Sequence, residues 1–219
     1  MPSNDDFADN APASSPCALN ESDPGYAGLA RDPEAVSGWR KKERERLITE
    51  RLLIPAAKRQ ALGEKIAAHV EGAMGDVRGL TISAYWPFRG EPDFRSLMAR
   101  VRERGGRTAL PVCIKRAAPM SFRIWAQGDP LERGVWNIPI PAETAEIVIP
   151  DIVIAPLVGF DAEKYRLGYG GGYFDRTLAA LAQKPKVIGA GYAAALMPTI
   201  YPQPYDIPMD VIVTERGVR

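Results

Sequence analysis

A chain of 219 residues, 46% of them hydrophobic and with a net charge of +1, is long enough to bury a full core in one ordinary α/β domain. No run approaches the roughly eighteen apolar residues of a membrane helix, and no basic-then-apolar segment opens the chain, so neither membrane insertion nor export is expected. Two cysteines, Cys17 and Cys113, are too few for a disulfide scaffold and point to a reducing, cytoplasmic setting. Charge is unevenly placed: residues 1–38 hold seven acids against one base, which leaves +7 on the remainder. A mildly basic body suits polyanionic ligands, and a solvated surface explains it equally well. Without a long basic stripe interleaved with aromatics, nucleic-acid binding is not expected.

In chain order, residues 1–37 are rich in Ala, Pro, Ser, Asp and Asn without periodicity, and read as a disordered extension ahead of one domain, 38–219. Trp39 opens a helical region dense in Arg, Lys and Glu, with Leu47, Ile48 and Leu52 on one side. Pro55 starts a second helix running to about Val70. A strand at 80–87, a helix from Pro92 to Glu103 and a strand at 107–114 follow, and Met120–Ala126 reads as an antiparallel addition. Asp151–Phe160, DIVIAPLVGF, has the β-branched apolar content of a central, doubly covered strand. A helix at 173–182 and strands at 186–192 and 210–214 complete the alternation, with loops at 127–141 and 197–208. The pattern predicts an α/β fold of three layers, Rossmann-like: a mostly parallel sheet covered by helices on both faces, with ligands at the carboxyl ends of its strands.

Between the central strand and its helix lies Arg166–Asp175, RLGYGGGYFD, where Gly168, Gly170, Gly171 and Gly172 crowd five positions. Phe174, Leu178 and Leu181 mark the buried face of the helix that follows. A glycine turn opening a helix lets backbone amides approach an anion. A tight turn that merely needs positive φ would look the same. No GK[ST] follows, as a P-loop requires, and Tyr173 stands where a dinucleotide fingerprint needs its last glycine.

RLGYGGGYFDR resembles the nucleotide-binding signature of the 5-formyltetrahydrofolate cyclo-ligase (methenyltetrahydrofolate synthetase) family. YWPFRGEPDF from Tyr85, LPVC from Leu110, GVWNIPIP from Gly134, VGFD from Val158 and YDIPMDVIVTE from Tyr205 recur in that family's order, so the similarity covers about residues 39–219. The resemblance implies an ATP- and Mg²⁺-dependent enzyme that converts 5-formyltetrahydrofolate, polyglutamylated or not, to 5,10-methenyltetrahydrofolate. It further implies a cytoplasmic monomer with no nucleic-acid or membrane partner. ATP would be held by Arg166, Leu167, Gly168, Tyr169, Gly170, Gly171, Gly172, Tyr173 and Phe174, with Arg166 and Tyr173 taking part in catalysis. The family also places two basic residues one turn apart on its first helix, a spacing met here by Arg40 with Arg44 and by Lys42 with Arg46. A KKERER run is equally a solvated helix face. Folate would meet Phe88, Glu91, Trp125 and Tyr173, while Glu91 or its neighbour Asp93 could instead cap the helix beginning at Pro92. Asp175 and Asp206 would hold Mg²⁺. Phe94 replaces a small hydroxyl residue and Tyr205 a His common among relatives, which leaves open a paralogue with another substrate or a non-catalytic nucleotide-binding protein. His69, the only histidine, lies far from every motif.

Overall fold

The computed structural model describes residues 33–219. The first helix, α1, spans Pro33–Leu53, so residues 33–37 of the expected extension are helical and Val36 is buried. The remainder of that extension lies outside the described residues. Pro33 fits a first helical position because an amide there would have no partner, and Glu34 and Arg51 sit at the dipole ends that favour their charges. The second helix, α2 (Ala56–Met74), follows Pro55 and ends at Gly75, whose φ of 75° stops it.

Next come β1 (Thr81–Ser83), α3 (Arg95–Glu103), β2 (Arg107–Val112) and β3 (Ser121–Ile124). The expected strand 80–87 is cut short: Ala84 still donates to Ala109, and then Arg89 and Gly90 turn the chain at positive φ. The expected loop 127–141 instead forms a hairpin of β4 (Leu131–Arg133) and β5 (Pro139–Pro141) around a 3-10 turn at Val135–Asn137. After β6 (Ile147–Val148) and β7 (Ile152–Pro156) the chain makes a small antiparallel pair, β8 (Gly159–Phe160) with β9 (Arg166–Leu167). The glycine turn therefore follows β9 and not the central strand directly. Asp161 folds this detour, its carboxylate taking the Tyr165 amide while its carbonyl takes that of Lys164. Then follow α4 (Tyr173–Ala180), β10 (Lys186–Ala190), β11 (Val211–Thr214) and β12 (Gly217–Val218).

The main sheet runs β12-β11-β10-β7-β1-β2-β3-β6. Its five middle strands are parallel, with Ile82 opposite Ile152 and Ile188 opposite Ile154, while β3, β6 and β12 are antiparallel additions at the edges. Alternation along β7 divides the core. Ile152 and Ile154 pack with Ile66 and Val70 of α2 and Leu97 and Val101 of α3. Val153 and Ala155 face the other way, toward Phe174 and Leu178 of α4. Helices thus cover both faces. α1 packs elsewhere: Leu47 and Ile48 meet Val158, Leu167, Met197 and Ile200, residues just beyond the carboxyl ends of the parallel strands.

Candidate active site

Gly172 caps α4 with φ 59° and Gly170 lies at φ 96°, conformations that a side chain would strain. The space a side chain would take is filled by guanidinium groups. A Cβ on Gly168 would stand 2.7 Å from Nη1 of Arg166, one on Gly172 2.8 Å from Nη1 of Arg176, and one on Gly170 3.3 Å from Cζ of Arg44. Arg44 donates to the Gly168 carbonyl at 2.8 Å and Arg176 to that of Gly171. Arg166 pairs with Asp175 at 2.6 Å and lies over the Phe174 ring. The Nε–H groups of Arg166 and Arg176 are buried with no partner among the described residues. Two charged donors without an acceptor, beside a glycine turn at a helix start, are what an incoming polyanion would satisfy. Tyr173, the first residue of α4, lies beneath the Arg176 guanidinium, 5.5 Å from its ring centroid.

α1 resolves the two basic pairs. Arg40 is 8% exposed and donates to the carbonyls of Ile200 and Tyr201 and to Asp206, the last at 2.5 Å. It shares a face with Arg44. Lys42 and Arg46 are exposed, and Arg46 is engaged by Glu43 and Glu50 on the same helix.

Beside the turn, three rings form a box: Phe88 and Trp136 stack with centroids 6.0 Å apart, and Tyr169 closes on each at 5.8 and 6.1 Å. Trp136 and Asn137 both hold positive φ, 54° and 59°, and such strained backbone outside glycine persists only where its surroundings impose it. Within reach of the box is Glu91, 8% exposed. Its Oε2 accepts the Phe88 amide at 2.9 Å and its Oε1 accepts the Tyr169 hydroxyl at 2.8 Å. Burial pushes the Glu91 carboxyl up to about 7, with Arg51, Tyr169 and the Phe88 amide pulling the other way. Asp93 has the other fate foreseen for this pair: it accepts the Arg95 amide at the start of α3 and pairs with the Arg95 side chain in solvent. Phe94 is fully buried edge-on to Tyr85, a core residue.

Trp125 is not brought to the box. It meets Trp86 edge-on, 5.7 Å away, and lines a different open cavity of about 520 Å³ with Trp86, Asp93 and Arg95. His69 is satisfied by the Thr214 carbonyl.

The sequence model of the 5-formyltetrahydrofolate cyclo-ligase family matches residues 36–215. The chain belongs to this family. A 5-formyltetrahydrofolate cyclo-ligase of Mycolicibacterium smegmatis is 31% identical over 185 residues, covering 80% of this chain and 93% of that protein. One of Escherichia coli is 29% identical over 165 residues, covering 73% and 91%. Among solved structures, the Aquifex aeolicus 5,10-methenyltetrahydrofolate synthetase superposes with a TM-score of 0.71 at 28% identity, covering 82% of this chain and 91% of that one.

For a cyclo-ligase family member the acids Asp175 and Asp206 raise the question of a metal. They lie on neighbouring segments, since Asp175 accepts the amide of Ile207, and each is the counter-ion of an arginine, Arg166 and Arg40. No cluster of three metal-binding side chains occurs among the described residues. Two carboxylates fit a hard cation that arrives already bound to phosphates, not one held by protein alone. Two contributors lie outside the residues the sequence singles out. Arg176 closes the family signature itself, and Arg51 gives no signal beyond its place on the α1 face that carries Arg40, Arg44, Leu47 and Ile48.

Proposed function

We propose that this chain converts 5-formyltetrahydrofolate to 5,10-methenyltetrahydrofolate with consumption of ATP. The reading rests on one juxtaposition within a cyclo-ligase family member: Tyr169 belongs to the glycine turn, and its hydroxyl touches the buried acid of the aromatic box. An anion cradle and a flat-ring pocket with one carboxylate therefore abut.

ATP phosphates would lie on the turn, met by Arg44, Arg166 and Arg176 with Arg40 behind them. The pterin would lie against the rings of the Phe88, Trp136 and Tyr169 box, its amino-pyrimidine edge donating to Glu91. Transfer of the γ-phosphoryl to the formyl oxygen breaks the β–γ bridge and releases ADP. The nitrogen at position 10 then attacks the activated carbon, and phosphate departs with that nitrogen's proton, leaving the methenyl bridge. No protein nucleophile is needed, because positioning and charge stabilisation suffice. Arg166 and Tyr173, flanking the turn, would face the transferring group. Asp175 and Asp206 would hold Mg²⁺, which when bound neutralises phosphate charge.

We read the enzyme as a cytoplasmic monomer acting on 5-formyltetrahydrofolate, polyglutamylated or not. Among the described residues Cys113 is a free thiol and no helix is long and apolar enough to cross a membrane. The test is to mix purified protein with ATP, Mg²⁺ and 5-formyltetrahydrofolate and follow the methenyl absorbance. Its growth, stoichiometric with ADP, is expected. ATP hydrolysis or binding without that chromophore would overturn the assignment in favour of another substrate.

A further inference from the structure

We propose that Arg51 is a positioning residue that ties the nucleotide half of the site to the folate half, through a relay from its guanidinium to Tyr169 and from Tyr169 to Glu91. The proposal rests on the function proposed above for the folate acid and adds to it Arg51, which that reading does not use.

Arg51 is 6% exposed at the C-terminal end of α1. Its three nitrogens serve three separate segments: Nε donates to the Arg89 carbonyl at 2.9 Å, Nη1 to that of Leu157 at 3.1 Å, and Nη2 to the Tyr169 hydroxyl at 2.7 Å. Those segments are the turn that carries Phe88 and Glu91, the end of the central strand, and the glycine turn. Arginine has only donors, so the Tyr169 oxygen must accept from it. The single phenolic proton is then free for Glu91, whose Oε1 at 2.8 Å is much the nearer acceptor than the Phe88 carbonyl at 3.4 Å. With Oε2 taking the Phe88 amide, both Glu91 oxygens act as acceptors, which is the pattern of an ionised carboxylate. Such a group keeps lone pairs for a donor edge, whereas a protonated one would need an acceptor for its own hydrogen.

The other groups around Glu91 do not supply this. Tyr85 is buried with its hydroxyl unpartnered, and Tyr192 donates to the Gly90 carbonyl. Neither carries positive charge. Among the side chains acting on Glu91, Arg51 is the one cation, and burial opposes it. The relay thus keeps a desolvated acid ionised, and it makes the position of the glycine turn depend on the same side chain.

The experiment uses full-length protein labelled with δ-¹³C glutamate, titrated by NMR without ligand, with the folate KM profile measured beside it. Glu91→Gln identifies the Glu91 resonance by its disappearance. In the wild type burial is expected to place that midpoint near pH 7. In Tyr169→Phe and in Arg51→Met its midpoint should rise by about one pH unit. The ionised fraction at pH 7 then falls from about one half to about one eleventh, so the folate KM there should rise about fivefold. That deficit should shrink as the pH is raised to 9, which simple structural damage would not do. If Arg51→Met fails to fold, Tyr169→Phe decides the matter alone. A Glu91 midpoint unmoved in the folded variants overturns the proposal. Shifted midpoints in a protein whose wild type makes no methenyl product would uphold the relay and sink the proposed activity instead.

Discussion

The two halves of the site are built on opposite plans. The phosphate half is one contiguous stretch, Gly168–Gly172, whose chemistry lies in its backbone and whose glycines 168, 170 and 172 lack a side chain so that guanidinium groups can close in, Tyr169 alone reaching across to the other half. The folate half is collected from distant segments, Phe88 to Glu91, Trp136, Tyr169 and Arg51, each contributing a side chain. The first should break when a carbon is added to one of its glycines, the second when a side-chain group is taken away.

The largest break is expected from Gly172→Val. A β-branched residue at φ 59° costs about 1–2 kcal/mol of backbone strain and drives its Cβ onto the Arg176 guanidinium. Calorimetric titration should find ATP binding weakened more than about a hundredfold, while melting falls by only a few degrees. Unchanged ATP affinity in the folded variant would refute the cradle.

Asp175→Asn and Asp206→Asn should come next. Each removes the counter-ion of a largely buried arginine, so a stability loss of about 1–3 kcal/mol is expected before any nucleotide is added. If the acids also share an ion, the Mg²⁺ concentration for half-maximal turnover should rise roughly tenfold in each, and the double variant should lose less than the sum. Additive losses with an unaltered Mg²⁺ profile would leave them as arginine partners only.

Glu91→Gln sharpens the contrast through pH. A carboxyl raised by burial from the ordinary 4.5 to about 7 on folding makes the native state bind more protons than the unfolded one between those values. Its cost to the wild type therefore grows as pH rises through that window and levels off above about 7, reaching about 3 kcal/mol. Denaturant melts of Glu91→Gln should gain on the wild type between pH 5 and 7.5. A constant difference across that range would show that Glu91 is not raised.

Smallest should be Lys42→Ala and Arg46→Ala. Arg46 is about half exposed and paired only within its own helix, so its loss is expected to cost under about 0.5 kcal/mol and to leave ATP affinity unchanged. A marked fall in affinity would move the nucleotide to the other face of α1.

What could be read from residue order follows the same division. The glycine turn, the parallel alternation and the antiparallel edge at β3 are local patterns, and local patterns survive without tertiary information. The β8–β9 detour escaped because two-residue strands have no periodicity to detect. Two basic pairs share one spacing, and only packing against Val158, Leu167 and Ile200 tells which of them turns inward. Trp125 stands apart from the box for a related reason. Its residue type says that a flat ring is available, while its partner Trp86 and its place in the fold are set by the β2–β3 pairing. Glu91 and Asp93, two residues apart, could not be told apart until α3 was seen to begin at Arg95.

The long reach of α1 bears on how the chain is made. Arg40 fastens to Ile200, Tyr201 and Asp206, which lie 160, 161 and 166 positions downstream, and Arg51 to Leu157, 106 positions downstream. On a ribosome this helix emerges ahead of the sheet, yet its anchors are among the last parts delivered. It must wait undocked through most of synthesis, with Leu47 and Ile48 uncovered. A nascent chain halted before Ile200 would already possess every glycine of the turn and still give Arg40 nothing to hold.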